Sequence, residues 1–149
     1  MSVRNVTVGG VAWDREREHP VILLRAEDDE DALPIWVGRP EGAAIAAVLD
    51  GRSFERPMTH DLMQIIIDVL GAAVDRIEIT GIAHDTYFAR ILLRRKEEEF
   101  YLDARPSDSI ALALRAEAPI FVDDDLWGEC KRPIAIESGS DDPDRGGAG

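Results

Sequence analysis

The sequence predicts one α+β domain, built on a mainly antiparallel or mixed sheet with three helices. Three observations support this fold class. Segments with strand-like alternation occur in two groups of three, their connections are mostly of hairpin length, and the helical segments are strongly apolar. The predicted order is β-β-β-α-α-β-β-β-α-β. This order lacks the strict alternation of strands and helices that is typical of a parallel α/β fold.

The first three strands are predicted to form an antiparallel meander. Val3–Trp13 alternates apolar and polar residues, and Val21–Ala26 and Leu33–Val37 follow it as shorter apolar segments. The turns between these segments are short and charged, which favours hairpin connections.

Two helices are predicted to follow the meander. The first covers Pro40–Leu49, because Pro40 suits the first helical position and Gly51 suits the position after a helix end. The second covers Thr59–Leu70, with Thr59 as its N-cap. Apolar residues lie on nearly every face of the second helix, which predicts that it is central in the fold.

Three strands, a third helix and a final short strand complete the domain. Ser107 is the predicted N-cap of the third helix, because Pro106 interrupts the preceding strand. Apolar residues surround most of this helix, which predicts that it is buried. The predicted strands are Val74–Ile82, Thr86–Arg95, Phe100–Ala104 and Pro119–Val122.

The domain is predicted to cover residues 1–125, and residues 126–149 are predicted to form an acidic, disordered tail. No segment contains the roughly 20 apolar residues of a membrane-spanning helix. The first residues also lack the continuous apolar run of a signal peptide. We therefore expect a cytoplasmic protein that has no contact with membranes.

The charge balance limits the class of partner. The 149 residues include 17 Lys and Arg against 30 Asp and Glu, a net charge of −13, which argues against a broad basic surface for nucleic acid. A nuclease is not excluded, because bound divalent cations can bridge carboxylates to phosphate.

The single cysteine, Cys130, excludes an intramolecular disulfide. For Trp13, Trp36 and Tyr87, packing is favoured over stacking on bases.

Three helix starts share an Arg-Pro pair followed by an acidic residue in the first turn. Their carboxylates belong to Glu41, Asp61 and Asp108, and Asp103 lies shortly before Asp108. If these helix starts meet at one rim, the four carboxylates suit Mg²⁺ or Mn²⁺, which prefer oxygen ligands. The alternative is that each acid only caps its own helix and each Arg pairs locally.

His60, Arg56 and Arg105 are the other candidate site residues. Histidine titrates near neutral pH, so His60 suits the transfer of protons as a general acid or base. The guanidinium groups of Arg56 and Arg105 match the geometry of phosphate oxygens. The alternative for His60 is that, with Asp61, it only closes the first turn of its helix.

Three blocks of this sequence resemble the bifunctional nuclease domain family. They are Ile35-Trp36-Val37-Gly38 with Glu41 and Ala43-Ala44-Ile45-Ala46, then Arg56-Pro57-Met58-Thr59-His60-Asp61-Leu62, then Asp103–Ala113. The resemblance extends over about residues 3–122, with the blocks in the family's order. It implies a compact α+β domain of a bacterial protein that acts as a DNase and RNase and depends on a divalent cation.

The leading hypothesis is a metal-dependent nuclease of low sequence specificity, with DNA or RNA as its substrate. In it, Asp61, Asp103 and Asp108 act with His60 in catalysis, and the same acids with Glu41 hold Mg²⁺ or Mn²⁺. The two arginines hold phosphate oxygens. The rival hypothesis is a non-enzymatic interaction or regulatory module whose apolar helices form an oligomer interface. In both cases we expect a homo-oligomer such as a dimer.

Overall fold

A computed structural model describes residues 2–134 and shows a seven-stranded mixed sheet with four helices. The strands are β1 (Val3–Asp14), β2 (His19–Arg25), β3 (Ala32–Trp36), β4 (Ala73–Ala83), β5 (Thr86–Arg95), β6 (Glu98–Ala104) and β7 (Ile120–Asp123). The helices are α1 (Arg39–Leu49), α2 (Thr59–Val69), α3 (Pro106–Ala116) and α4 (Asp124–Cys130). The predicted α+β class is confirmed, but the predicted order omits α4. No helix within the described range is long and apolar enough to span a membrane.

The sheet joins two antiparallel meanders through one short strand. Its order is β3-β2-β1-β7-β4-β5-β6. β7 pairs antiparallel with β1 and parallel with β4, and this single parallel pairing makes the sheet mixed. Ile120 of β7 lies opposite Val6 of β1 and Ile77 of β4, and all three side chains are buried. The core therefore continues across the junction between the two meanders.

Helices α1 and α3 pack on the sheet and against each other. α1 contacts β1 and β2, whereas α3 contacts β4 and β5. Ile45 of α1 and Ile110 of α3 are fully buried between these layers. Gly42 permits the close approach of α1 to β2, because a Cβ atom there would lie 2.8 Å from Pro20. This packing fixes the first turns of α1 and α3 relative to each other.

Two helices begin without the predicted caps. α3 begins at Pro106, one residue before the predicted N-cap Ser107, because the fixed φ of proline suits the first helical position. α2 begins at Thr59 with Met58 in the N-cap position, so the prediction of Thr59 as N-cap is also wrong. The Asp61 carboxylate instead accepts the Met58 N–H at 2.9 Å and closes the first turn.

The prediction that α2 is central is wrong. His60 is the buried residue of this helix, whereas Leu62, Ile65, Ile66 and Val69 are 43–78% exposed. α1 lies on β1 and β2, and α3 lies on β4 and β5, so the main contacts of α2 are with α3 and with β4 at the start of the second meander. The helix is apolar on two faces, and the domain covers one of them.

The fourth helix occupies part of the segment that was predicted to be tail. Trp127 is 1% exposed, and its Nε1 donates to Asp29 Oδ2 at 2.8 Å. Lys131 Nζ donates to the same oxygen at 2.8 Å. These hydrogen bonds, the one from Lys131 first, hold the pKa of Asp29 far below its ordinary value. The acidic composition of this segment predicted a disordered tail, although the segment includes Trp127, a residue of the core. The remaining predicted tail, residues 135–149, lies outside the described residues.

Replacing Trp127 tests whether α4 belongs to the core. We expect Trp127→Ala to lower the free energy of unfolding by about 3–5 kcal/mol, because it removes a fully buried aromatic ring and leaves a cavity. Trp13→Ala is the matched control, and it should cost less because Trp13 is only partly buried. Urea unfolding followed by circular dichroism measures both losses. Equal losses would contradict the core position of α4.

Candidate functional site

The first turns of α1, α2 and α3 meet through one arginine. Arg105 Nε and Nη2 lie 2.9 and 2.8 Å from Asp108 Oδ2, and Arg105 Nη1 lies 2.9 Å from Glu41 Oε1. The other oxygen of Asp108, Oδ1, lies 2.9 Å from His60 Nε2. Glu41, His60, Arg105 and Asp108 therefore form one continuous set of contacts, which we call the junction cluster.

Hydrogen bonds keep Asp108 ionised. Burial alone would raise the pKa of Asp108, but the hydrogen bonds from His60 and Arg105 outweigh it and lower that pKa below its ordinary value. In turn, Asp108 and then Glu41 raise the pKa of Arg105. The cluster therefore holds a carboxylate and a guanidinium that both stay charged at neutral pH.

His60 is buried, with 6% of its surface exposed, and its ring is oriented by Asp108. An ionised carboxylate only accepts hydrogen bonds, so we assign the hydrogen to Nε2 when the ring is neutral. Nδ1 is then the ring atom that can accept a proton. A carboxylate that fixes the tautomer of a histidine in this way is a recurrent arrangement in acid–base catalysis.

Asp61 lies in a separate ion pair. Its Oδ1 accepts from Arg115 Nε at 2.7 Å, and its Oδ2 accepts from the Met58 N–H. Those two contacts, the one from Met58 first, lower the pKa of Asp61 below its ordinary value. Buried Arg115 also donates to the carbonyl oxygens of Ala111 and Ala44, at 2.8 and 3.2 Å. Asp61 and Arg115 thus join α2, α3 and α1.

Arg115 was missed by the sequence interpretation. It lies in the last turn of α3, far along the chain from Asp61, and no motif marks it. Arg115 follows Asp108 by about two helical turns and Arg105 by about three. This spacing does not reveal the partner of Arg115, because that partner, Asp61, belongs to another helix. Only the packing of α2 on α3 identifies the pair.

Two of the predicted site residues lie outside these contacts. Asp103 is exposed on β6 opposite Arg90, and the Nε of Arg90 donates instead to buried Glu78 at 3.1 Å. Arg56 lies in the exposed connection between α1 and α2, and it makes no hydrogen bond or ion pair within residues 2–134. The structure therefore joins four of the seven predicted residues and leaves Asp61, Asp103 and Arg56 outside the junction cluster.

The four predicted metal ligands do not form one site in this arrangement. Among the residues that the structure describes, no three His, Cys, Asp or Glu side chains are grouped as ligands for a metal ion. Glu41 and Asp108 are bridged by the Arg105 guanidinium, and Asp61 is held by Arg115. Each acid has gained a cationic partner, so the expected pocket of free carboxylate oxygens is replaced by ion pairs.

A cavity of about 270 Å³ opens beside Arg105. The turn after β1, the end of β3, the start of β5 and the start of α3 form its walls, with Arg17, Trp36, Tyr87 and Ser107 among its lining residues. The Arg17 guanidinium lies 3.8 Å from the centroid of the Trp36 ring. Tyr87 packs against the hydrophobic core, as the sequence predicted, and both Trp36 and Tyr87 also line the cavity. No sequence motif predicted that Arg17 would line this cavity.

Comparisons with known proteins agree with the sequence blocks. The pattern of the Bifunctional nuclease domain matches residues 22–135 of this chain. An uncharacterized protein of Mycobacterium tuberculosis strain H37Rv is 36% identical over 133 residues, which cover 89% of this chain and 79% of that relative. This relative is bacterial, as the resemblance implied.

Plant proteins are also similar to this chain. The protein named Bifunctional nuclease 1 is 34% identical in Oryza sativa subsp. japonica and 32% identical in Arabidopsis thaliana, each over 108 residues. These matches cover 70% of this chain but only 33% of each plant protein. The chain thus spans about a third of the length of the plant relatives.

The lowered pKa values of Asp61 and Asp108 predict a loss of stability in acid. Because each folded pKa lies below the unfolded value of about 3.9, both ion pairs contribute fully above that value. Their contribution is lost as the pH falls through the folded pKa values. We therefore expect the free energy of unfolding to decrease between about pH 5 and pH 2, and Asp108→Asn to reduce this dependence.

Urea unfolding at a series of pH values measures this dependence. Asp75→Asn is the matched control, since Asp75 pairs with Arg94 at the protein surface. A dependence on pH that is the same in Asp108→Asn and in the unsubstituted chain would contradict the assignment.

Proposed function

This chain belongs to the bifunctional nuclease domain family, and we propose that it hydrolyses phosphodiester bonds of DNA and RNA with low sequence specificity. The contact of His60 with Asp108, beside Arg105, is the observation that carries the proposal. An oriented proton acceptor next to a guanidinium group suits attack on a phosphodiester. The low specificity rests on the family resemblance.

In the proposed reaction, neutral His60 accepts a proton at Nδ1 from the attacking water, and the water oxygen forms a bond to phosphorus. Asp108 stabilises the imidazolium that results. The bond from phosphorus to the leaving oxygen breaks, and this oxygen takes a proton from solvent. Arg105 stabilises the negative charge on the phosphate oxygens. Three of its five N–H groups are used in the junction cluster, which leaves two for phosphate.

Dependence on Mg²⁺ or Mn²⁺ stays a prediction. As placed, the carboxylates do not fit such a cation, because Arg105 already neutralises Glu41 and Asp108 and no third carboxylate joins them within the described part of the chain. Comparison of the cleavage rate in Mg²⁺, in Mn²⁺ and in EDTA decides whether a divalent cation is required.

Substitutions in the junction cluster test the nuclease proposal. We expect His60→Ala and Asp108→Asn each to slow the cleavage of single-stranded RNA and DNA by about 10²–10⁴-fold, the usual contribution of an acid–base group. Fluorogenic oligonucleotides measure the rate, with protein freed of host nucleases. His84→Ala and Asp75→Asn are matched controls, because neither side chain has a hydrogen bond or ion pair with the junction cluster.

Thermal unfolding separates catalysis from folding in these variants. A cleavage rate that persists in a folded His60→Ala protein would remove His60 from the mechanism. The variants Asp61→Asn, Asp103→Asn and Arg56→Ala, assayed in parallel, decide whether the three predicted residues outside the cluster take part.

The outer face of α2 favours a second candidate function, in which the chain is an oligomeric interaction module. Leu62, Ile65, Ile66 and Val69 recur at the i, i+3, i+4, i+7 spacing of one helix face and are exposed. We call these four residues the α2 stripe. Contiguous exposed apolar residues of this kind are typical of interaction sites. This function is compatible with nuclease activity in the same chain.

We propose a second copy of this chain as the occupant of the α2 stripe. Arg56 precedes α2 and Asp68 lies in its last turn, and neither has an ion pair within residues 2–134. Antiparallel packing of two α2 helices about a two-fold axis places each Arg56 near the Asp68 of the other copy. Exposed apolar side chains of this kind suit the apolar centre of an interface, whose standard size is about 800 Å² per partner.

A charge placed in the α2 stripe tests this dimer. Ile66→Glu is expected to convert the dimer to a monomer, because two like charges would be buried across the two-fold axis. Sedimentation equilibrium measures the mass, and Phe88→Glu, at an exposed apolar residue of β5, is the matched control. An unsubstituted chain that stays monomeric at high concentration would overturn the dimer.

A further inference from the structure

The cavity beside the junction cluster combines aromatic rings, two arginines and a helix start. We propose that it binds one nucleotide of single-stranded nucleic acid, with the phosphate at the start of α3 and the base against Arg17 and Trp36. This inference rests on the proposed nuclease function and deepens it, because it identifies the part of the substrate that the enzyme holds.

The size of the cavity limits its ligand. At about 270 Å³ it lies just below the range of about 300–1,000 Å³ that is common for small-molecule sites. This volume is comparable with a single nucleotide, and because the cavity is partly open to solvent the rest of a strand can extend outward. A base must also leave its stack to enter, which favours single strands, where bases are easily splayed out.

The phosphate end of the cavity is defined by unused hydrogen-bond donors. Ser107 is 6% exposed and lines the cavity, yet its hydroxyl makes no hydrogen bond within the described residues. By contrast, the Ser109 hydroxyl donates to the carbonyl oxygen of Arg105 at 2.9 Å. The Ser107 hydroxyl is thus open to the cavity and is available to donate a hydrogen bond to a ligand there.

The backbone at the same point adds two more donors. The first backbone hydrogen bond of α3 runs from the Ser109 N–H to the Arg105 carbonyl oxygen at 3.0 Å. The N–H groups of Ser107 and Asp108 therefore have no partner in the helix. Together with the free N–H groups of Arg105, they suit a phosphate at the helix start.

The base end of the cavity is built from a fixed ring and a guanidinium. Trp36 Nε1 donates to Asp14 Oδ2 at 2.7 Å, which holds the indole in place. The Arg17 guanidinium covers this ring at 3.8 Å, while 58% of the Arg17 side chain remains exposed. Nucleic-acid bases stack on guanidinium planes as well as on aromatic rings. Tyr87 supplies a second ring in the same cavity.

The local charge of the cavity differs from that of the whole chain. The chain has a net charge of −13, which disfavours a long duplex along its surface. Arg17 and Arg105 line the cavity together with one acid, Asp85. Because Arg105 also pairs with Glu41 and Asp108, and Arg17 lies 4.0 Å from Asp14, directed N–H and hydroxyl donors rather than net positive charge would hold the phosphate. The Asp85 carboxylate can accept hydrogen bonds from the ribose hydroxyls or the base amino groups.

Calorimetry with three probes tests the inference. We expect uridine 5′-monophosphate to bind the full chain in EDTA, and uridine and inorganic phosphate each to bind more weakly, because each contacts one end of the cavity. Arg17→Ala should raise the Kd of the nucleotide about tenfold and leave phosphate binding unchanged. Ser107→Ala should raise the Kd of both nucleotide and phosphate. Arg52→Ala, at an exposed arginine outside the cavity, is the matched control.

The same experiment separates this inference from the nuclease proposal. Nucleotide binding that Arg17→Ala and Ser107→Ala weaken, in a chain that cleaves nothing, would support the cavity and overturn the nuclease. Cleavage by a chain whose nucleotide affinity neither variant changes would overturn the cavity alone. A fold check by thermal unfolding accompanies each variant.

Discussion

The ion pairs of Arg105 are the constraint on which the site depends. The Arg105 guanidinium contacts Glu41 of α1 and Asp108 of α3. Asp108 in turn is hydrogen-bonded to His60 of α2. Three helix starts that are far apart in the sequence are thereby held at one place. The ion pair of Asp61 with the buried Arg115 side chain connects the same three helices at a second point. Loss of either pair would leave a charge without its partner.

The side chains of the junction cluster hold the helices together and also take part in the proposed hydrolysis. The hydrogen bonds that keep Asp108 ionised also fix the tautomer of His60, so the histidine is oriented before a substrate arrives. The cost is that Glu41 and Asp108 are not free for a metal ion while Arg105 bridges them. Arg105 also lines the cavity, and its two remaining N–H groups are available there to a phosphate in an acidic chain.

The two faces of α2 have different environments. Its inner face places His60 and Asp61 against α3, where the candidate chemistry lies. Its outer face leaves the α2 stripe in solvent. The domain cannot cover both faces, because α1 and α3 already occupy the sheet. A dimer through the stripe would bury the outer face without closing the cavity, which lies among β1, β3, β5 and α3.

The sequence by itself determined the α+β class, the two meanders and the positions of three helices, because these follow from local apolar periodicity and from proline and glycine at the ends. It also grouped Glu41, His60, Arg105 and Asp108 as candidates, since the Arg-Pro pattern at their helix starts is local, and the structure brings these four side chains together. α4 was missed because the core position of Trp127 depends on a hydrogen bond to distant Asp29. The partners of the acids, Arg115 among them, and the exposure of α2 were decided by the tertiary structure, because side chains from different helices meet only when those helices pack.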